Sequence, residues 1–407
     1  MNHHKLACGF QALTCSWPIH SAWIALLLLF TGTLISTVAH AEPDSGTSAL
    51  EGISFEALGY VDYSAGKKPA AHNLDANYNR FQLTRGYFTF KKKVVDWMSV
   101  RITLDITQDE TGDYKRRDKY FYAELRPADI GFLTNMKSEA GIGHMPWLDF
   151  EEHINAYRAQ GTMPIERAGI FNSADVGVSL SGYFGEKLED AGAKTGNTHY
   201  AGQYGSWHVG VYNGGGYHAA EANENKVLEG RVTVRPLADA LPGLQLSYLG
   251  ILGKGNVAPQ SSLPDYEVHM AMLSFERPGA AATGQVFVTK GNAKGKLVDP
   301  ATGEALKTLG YSLFGTVGIP GADHRLSAFA RFDRFDSDAD GIVAKEATYT
   351  MVMGGAAVTL YEGNMLLVGL ESTDYGADFG AAKGAAPEVG TKLGKDHKFQ
   401  VVYQIKI

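Results

Sequence analysis

Trp97-Met98-Ser99-Val100-Arg101-Ile102-Thr103-Leu104-Asp105-Ile106-Thr107 decides the fold class. From Met98 onward, apolar side chains stand at even positions and polar ones at odd positions. A strand points successive side chains to opposite faces, so this stretch has one greasy side and one wet side. Two settings accept such a strand. In a soluble sandwich the apolar side meets a core; in a membrane barrel it meets lipid and the polar side meets water.

The same alternation recurs along the chain and separates the two settings. It predicts strands near 53–63, 78–91, 97–107, 119–127, 137–146, 175–185, 207–213, 226–235, 244–253, 266–276, 283–290, 309–317, 325–335, 349–359, 364–372 and 397–407. Most run to about ten residues, the length a tilted strand needs to cross hydrocarbon. No apolar run after Ala41 approaches the roughly 20 residues of a membrane-spanning helix. Only helices and closed barrels satisfy backbone polar groups inside lipid. The reading is therefore all-β: a transmembrane, antiparallel, up-and-down β-barrel of about sixteen strands over residues 52–407. A soluble sandwich of this length is the rival. Arg85-Gly86-Tyr87 breaks the alternation of the second strand and predicts a bulge. Thr198 to Tyr204 is a further short strand candidate.

The joins alternate in length. Lys92–Asp96, Arg277–Ala282, Gly318–Asp323 and Tyr361–Gly363 are short; Pro146–Ala174, Gly291–Thr308 and Thr373–Asp396 are long. Short periplasmic turns and long extracellular loops are the pattern of bacterial barrels. Glu186 to Ser206 is the exception, too long for a simple turn. The final strand alternates Phe399, Val401, Tyr403, Ile405 and Ile407 with Gln400, Val402, Gln404 and Lys406. Tyr60, Tyr63, Trp97, Tyr120, Trp147, Trp207, Tyr212 and Tyr403 fall near strand ends, where interfacial girdles place aromatic rings. Ordinary β-propensity of aromatics is the competing explanation.

The start of the chain does not belong to the barrel. Lys5 precedes an apolar run, Trp23 to Phe30, and Ala39-His40-Ala41 offers small residues at the positions a signal peptidase reads. Residues 1–41 are expected to be a cleaved signal peptide, with a retained anchor as the alternative. Residues 42–51 would form a short periplasmic segment. With Lys5 removed, 36 basic residues face 44 acidic ones. Both cysteines, Cys8 and Cys15, lie in the leader, so the mature chain has no disulfide or thiolate site. No long basic stripe points to nucleic acid.

A barrel this wide leaves an aqueous lumen unless something fills it. Residues 146–174 are the candidate for an inward constriction loop, carrying Glu151, Glu152, His153, Arg158, Glu166 and Arg167. Mixed charge at a neck sets up a transverse field that filters polar solutes. A loop lying over the mouth or at a subunit contact is the alternative. Parity places Arg101, Arg126, Arg231, Arg235, Arg325 and Arg331 on polar faces, with Arg80 and Arg85 following if the bulge is where it is expected. A charge on the lipid face would cost roughly 2–4 kcal/mol at mid-depth, which presses these side chains inward. Arginines along one wall would guide anions. Glu56, Asp62, Asp105, Glu124, Glu229, Glu267 and Asp333 share those faces, so internal pairing is the competing reading.

Several stretches resemble the phosphate-selective porin O and P family of Gram-negative outer membranes. They are Arg80-Phe81-Gln82-Leu83-Thr84-Arg85-Gly86-Tyr87, Arg117-Asp118-Lys119-Tyr120-Phe121-Tyr122-Ala123-Glu124-Leu125 and Ala140-Gly141-Ile142-Gly143-His144-Met145-Pro146. Glu166-Arg167, Asp175 to Gly182, Val211-Tyr212-Asn213-Gly214 with Lys226 and Arg231, and Ala330 to Asp336 follow in the same order. The resemblance implies a sixteen-stranded, usually trimeric channel in the bacterial outer membrane, passing small hydrophilic solutes by passive diffusion. Anions such as phosphate are its candidate solutes, although the inward acids leave that selectivity open.

Other signals point elsewhere. Asp336-Ser337-Asp338-Ala339-Asp340-Gly341 begins like a calcium loop, but its twelfth residue is Ala347 and Glu346 comes one early. It reads as an acidic extracellular loop. Asp109, Glu110, Asp113, Lys115, Arg116 and Arg117 form another charged loop, solvated or touching lipopolysaccharide phosphates. A barrel-embedded enzyme would need a nucleophile, base and orienting group together. His144, His153, His269 and His324 are scattered and no Gly-x-Ser-x-Gly occurs, so no enzyme, cofactor or metal is expected. An adhesive or structural barrel remains as an alternative.

Overall fold

A computed structural model describes residues 51–69, 75–109, 111–259, 262–321, 325–343, 345–377, 379 and 394–407. The expected leader and residues 42–50 lie outside them, as do Glu110, Asp323 and His324. Among the described residues sixteen strands close into one barrel, each hydrogen-bonded to its sequence neighbours and the first to the last. All pairs are antiparallel. They are β1 Ile53–Pro69, β2 Asp75–Val95, β3 Met98–Gln108, β4 Tyr114–Leu125, β5 Leu133–His144 and β6 Ala174–Phe184. Next come β7 Gly205–Tyr212, β8 Val227–Val234, β9 Leu244–Lys254, β10 Asp265–Arg277 and β11 Ala280–Lys290. The circuit ends with β12 Lys307–Gly318, β13 Leu326–Asp336, β14 Thr348–Tyr361, β15 Asn364–Tyr375 and β16 Gly394–Lys406. Every expected strand has its counterpart, and closure leaves no unpaired edge.

The short joins expected above gather at one end, the turn end, and the long ones at the other, the loop end, except the long join 185–204, which leaves from the turn end. Two turns show why they can be so short. Glu362 and Gly363 both have positive φ, 45° and 83°, the backbone that matches strand twist in a two-residue hairpin. Pro278-Gly279 supplies a fixed φ and then a φ of 77°.

The outer face is the apolar belt that the alternation required. Phe88, Phe121, Leu246, Leu273, Val286, Leu313, Val352 and Leu370 all project from it, exposed. Each leaves the next residue facing the lumen. The inner face has two halves. Along β1–β4, β15 and β16 it carries polar and charged residues, many beside tyrosines. Along β9–β14 it carries a buried apolar cluster, Leu249, Ile251, Val268, Met270, Met272, Phe287, Phe335, Met351 and Met353, beside buried polar groups such as Gln245, Gln285 and the Arg331–Asp333 pair. There the rule of polar residues inward fails, because protein rather than water covers the wall. Glu267 is the casualty: Tyr266 and Val268 take the inner positions of β10, so Glu267 stands on the outer face opposite Leu252.

The cover is residues 145–173. This segment folds inward and makes two short helices, α1 Leu148–Glu152 and α2 Pro164–Arg167. Its Trp147, Leu148, Phe150, Met163, Ile165 and Ile170 are buried in one cluster with the apolar wall. Each such side chain contributes roughly 1.5–3 kcal/mol.

The long join 185–204 also turns inward, from the opposite end, around α3 Ala191–Thr195. The expected strand at Thr198–Tyr204 is absent; Gly202 makes only an isolated bridge to Lys187. The bulge of β2 lies slightly before its expected place, with Thr84 as the extra residue between Leu83 and Arg85. A second bulge in β4 makes Lys119 the extra residue opposite Thr103 and Leu104. Four expected girdle aromatics are buried within the barrel instead: Tyr60, Tyr120, Trp147 and Tyr212. Trp97 and Tyr403 are exposed, and Tyr63 packs against Phe81 and Phe399.

Candidate functional site

The inward segment 145–173 is fastened to the wall at several points, and each fastening uses a polar group from a facing strand. Arg231 on β8 donates through Nε to the Pro146 carbonyl at 2.9 Å and through Nη1 to Ser206 and Thr233 at 3.0 and 2.6 Å. Its guanidinium lies 4.2 Å from the Phe150 ring centre. Arg331 on β13 grips Asp333 with Nε and Nη2 at 2.8 and 2.5 Å and donates to the Thr162 carbonyl at 2.7 Å. The Tyr157 hydroxyl meets Thr316 and Ser327 at 2.8 and 2.7 Å, and its ring stacks on Phe329. Arg167 places Nη1 and Nη2 at 2.9 Å from Oε1 of Glu371 on β15.

The lower insert clamps the same segment from beneath. The Tyr200 hydroxyl donates to Asp149 at 2.5 Å, and Asn197 donates to the His153 carbonyl at 3.1 Å and to Glu276 at 2.9 Å. The His153 and His199 rings lie 3.7 Å apart. Burial, then the neighbouring His153, push His199 down to about 4. Burial works against the charged form of Asp149, yet His144, His153 and Tyr200 hold it well below the usual carboxylate range.

Glu151 and Glu152 behave differently although adjacent. Glu151 is 2% exposed and faces the wall, accepting from Trp147 Nε1 at 2.7 Å and Gln285 Nε2 at 2.6 Å. Burial raises it to about 7 despite both donors, because among the described residues no cation makes an ion pair with it and Arg331 acts only from a distance. Glu152 accepts from Arg158 Nε at 2.9 Å, and Glu166 lies 3.6 Å from the same guanidinium. Burial pushes Glu152 up as well, with Arg158 opposing it.

Fastened to one side, the segment leaves an opening on the other. A cleft of about 360 Å³ separates it from the walls of β1, β2, β15 and β16. Six basic side chains line the cleft, Lys68, Arg80, Arg85, Arg158, Arg167 and Lys398, against three acids, Asp62, Glu371 and Asp396. Arg85 is tied to Asp105 at 2.8 Å. Arg80 has the Tyr78 ring beside it at 5.7 Å. Further down the same wall, Lys119 sits 4.7 Å from the Tyr87 ring centre and 5.3 Å from that of Tyr120. Arg101 stacks at 4.6 Å on Tyr120 and bonds Thr103 and His144 at 3.1 and 3.3 Å.

The candidate residues thus divide. Arg80, Arg85, Arg158 and Arg167 meet at the cleft, with Arg101 below it. Arg231 and Arg331 point inward as parity required, but they are sealed under the segment and do not face lumen water. Arg235 is spent on the carbonyls of Gly202 and Pro242, holding the lower insert. Arg126 lies just past β4 at the turn end, paired with Glu124 at 3.1 Å, and Arg325 is exposed at the same end. Lys398 and Glu371 were open to parity reasoning. Lys119 was not, since only its bulge turns it inward. The acidic loop uses its own charges: Asp338 accepts the Ile342 and Val343 amides at 3.1 and 2.6 Å, and Asp340 pairs with Lys307 at 2.9 Å. Among the described residues no group of three His, Cys, Asp or Glu side chains is arranged to hold a metal.

Solved structures of similar shape place this architecture. An anion-selective porin from Comamonas acidovorans superposes with a TM-score of 0.55 at 13% identity, over 87% of this chain and 100% of that one. The chain has the porin fold. OmpT of Vibrio cholerae in its trimer form gives 0.51 at 10% identity, covering 87% of this chain and 99% of that one. OmpF of Salmonella typhi, in complex with daunomycin, gives 0.51 at 8% identity, covering 87% and 97%. No protein-family model matches the sequence, and no curated protein matches it.

Proposed function

We propose that this protein is an outer-membrane porin, a passive channel for small hydrophilic solutes that favours anions. The carrying observation is the cleft: it is the opening left beside the inward segment, and basic side chains line it two to one over acids. Charge at the narrowest part of a low-dielectric tube governs which ion enters. Lys119 is buried against Tyr87 and Tyr120 and adds its charge from within the wall. Lys119 and Arg101 make no carboxylate contact among the described residues, and Arg80, Arg85 and Arg101 descend the wall in turn. An anion would pass from one to the next, held loosely by each. The turn end lies in the periplasm on this reading, the long loops lie outside among lipopolysaccharide, and the apolar belt sits in lipid. A homotrimer is the assembly we propose, in line with the trimer form of the Vibrio cholerae neighbour. Membership of the phosphate-selective family, and phosphate as solute, belong to the same proposal.

Proteoliposome swelling tests it. Vesicles carrying the protein should swell in small sugars, and faster in organic anions of matching size. No swelling from correctly folded protein would overturn the channel, and equal rates for cations and anions would overturn the preference.

A further inference from the structure

Glu371 occupies an unusual place in the cleft. It projects inward from β15 and is held on every side. Oε1 accepts both terminal nitrogens of Arg167 at 2.9 Å; Oε2 accepts Gln160 Nε2 and Lys398 Nζ, each at 3.2 Å. Two of the six cations lining the cleft therefore share one carboxylate. Both keep an open side: the Arg167 and Lys398 side chains are each 21% exposed, against 9% for Glu371. A solute anion arriving at the cleft meets two donors already satisfied by an anion of the protein's own.

Resting on the anion-channel reading, we infer that Glu371 is an internal counter-ion that sets the strength of anion selection, beyond its tethering of the inward segment. Its charge offsets Arg167 and Lys398, so a passing anion is attracted without being trapped. Conduction needs that balance, because a site that binds too well empties too slowly. The chemistry of the holding groups, a guanidinium, an ammonium and an amide around a carboxylate, also makes small carboxylates the natural competitors for these donors.

Two roles of Glu371 predict opposite outcomes. Removing one unit charge roughly 7 Å from a passing ion, acting through water, shifts chloride and potassium by about RT each in opposite senses, so their ratio changes about sevenfold. As a counter-ion, Glu371→Gln raises the chloride-to-potassium permeability ratio by that factor, while Arg167→Gln lowers it. As a mere tether, Glu371 and Arg167 are equivalent, so both variants free the segment, widen the cleft and move the ratio the same way. Glu371→Asp keeps the charge with a shorter reach, and its ratio should stay near the wild-type value.

Reversal potentials in a potassium chloride gradient, on folded protein in planar bilayers, read all four proteins. Opposite shifts for Glu371→Gln and Arg167→Gln support the inference. Shifts of the same sign, or none in Glu371→Gln, overturn it. A wild type that prefers potassium would remove the anion reading by itself, and the sign of the Glu371→Gln shift would still judge the counter-ion.

Discussion

Replacing Glu151 by Gln should stabilise the inward segment in alkaline solution and leave it unchanged in acid. Glu151 is raised from 4.5 to about 7 in the folded barrel, chiefly by burial. A raised carboxylate favours folding while it is protonated. That advantage is complete below pH 4.5 and is lost as pH rises through about 7. At 1.36 kcal/mol per unit, the difference reaches about 3 kcal/mol above pH 8. Gln carries no charge to desolvate and still accepts from Trp147. Once the Gln285 amide turns over, the new amide can donate to Gln285 Oε1, which has no partner among the described residues. Unfolding midpoints of wild type and Glu151→Gln in detergent, followed by tryptophan fluorescence at pH 4 and pH 8.5, measure the effect. The variant should gain several degrees at pH 8.5 and almost none at pH 4. An equal offset at both values, or a variant less stable at pH 8.5, would refute the assignment of Glu151 as a buried acid without a cation.

Other substitutions separate fastening from filtering. Arg331→Gln should cost about 3–5 kcal/mol by leaving Asp333 buried and alone, and adding Asp333→Asn should recover most of it; chemical unfolding of the single and double variants checks this. Because Asp333 already cancels Arg331, the double variant should conduct with wild-type ion selectivity. Lys119→Gln, by contrast, should lower the chloride preference with little change in stability, read from reversal potentials beside unfolding curves. Tyr200→Phe removes a bond to the charged Asp149, worth about 1.5–3 kcal/mol. It should speed amide exchange in residues 145–155 while exchange in β10 and β11 stays slow.

The strands were legible because lipid imposes one rule on every outer position. Met98 to Ile106 shows it plainly, and the same rule located all sixteen. The rule for inner positions is weaker, since an inward side chain meets either water or protein. Where residues 145–173 cover β9–β14, the inner residues are Val268, Met270 and Met351, and parity sent Glu267 to the wrong side. The same cover buries Arg231 and Arg331, which the pattern alone could not tell from arginines in water. Bulges are the other blind spot. One at Arg85 announced itself by broken alternation, but the shift at Lys119 is masked by Tyr120 and Tyr122 following in correct phase. The inward turn at 185–204 showed only as an improbable length. Its purpose is tertiary: Tyr200 and Asn197 reach a segment some fifty residues earlier in the chain.

The central claim is a water-filled, anion-preferring channel, and the wild-type reversal potential tests it most directly. Purified, heat-modifiable protein in a planar bilayer between unequal potassium chloride solutions should show open channels with the potential displaced toward the chloride equilibrium value. Silence from folded protein, or displacement toward the potassium value, would contradict the account.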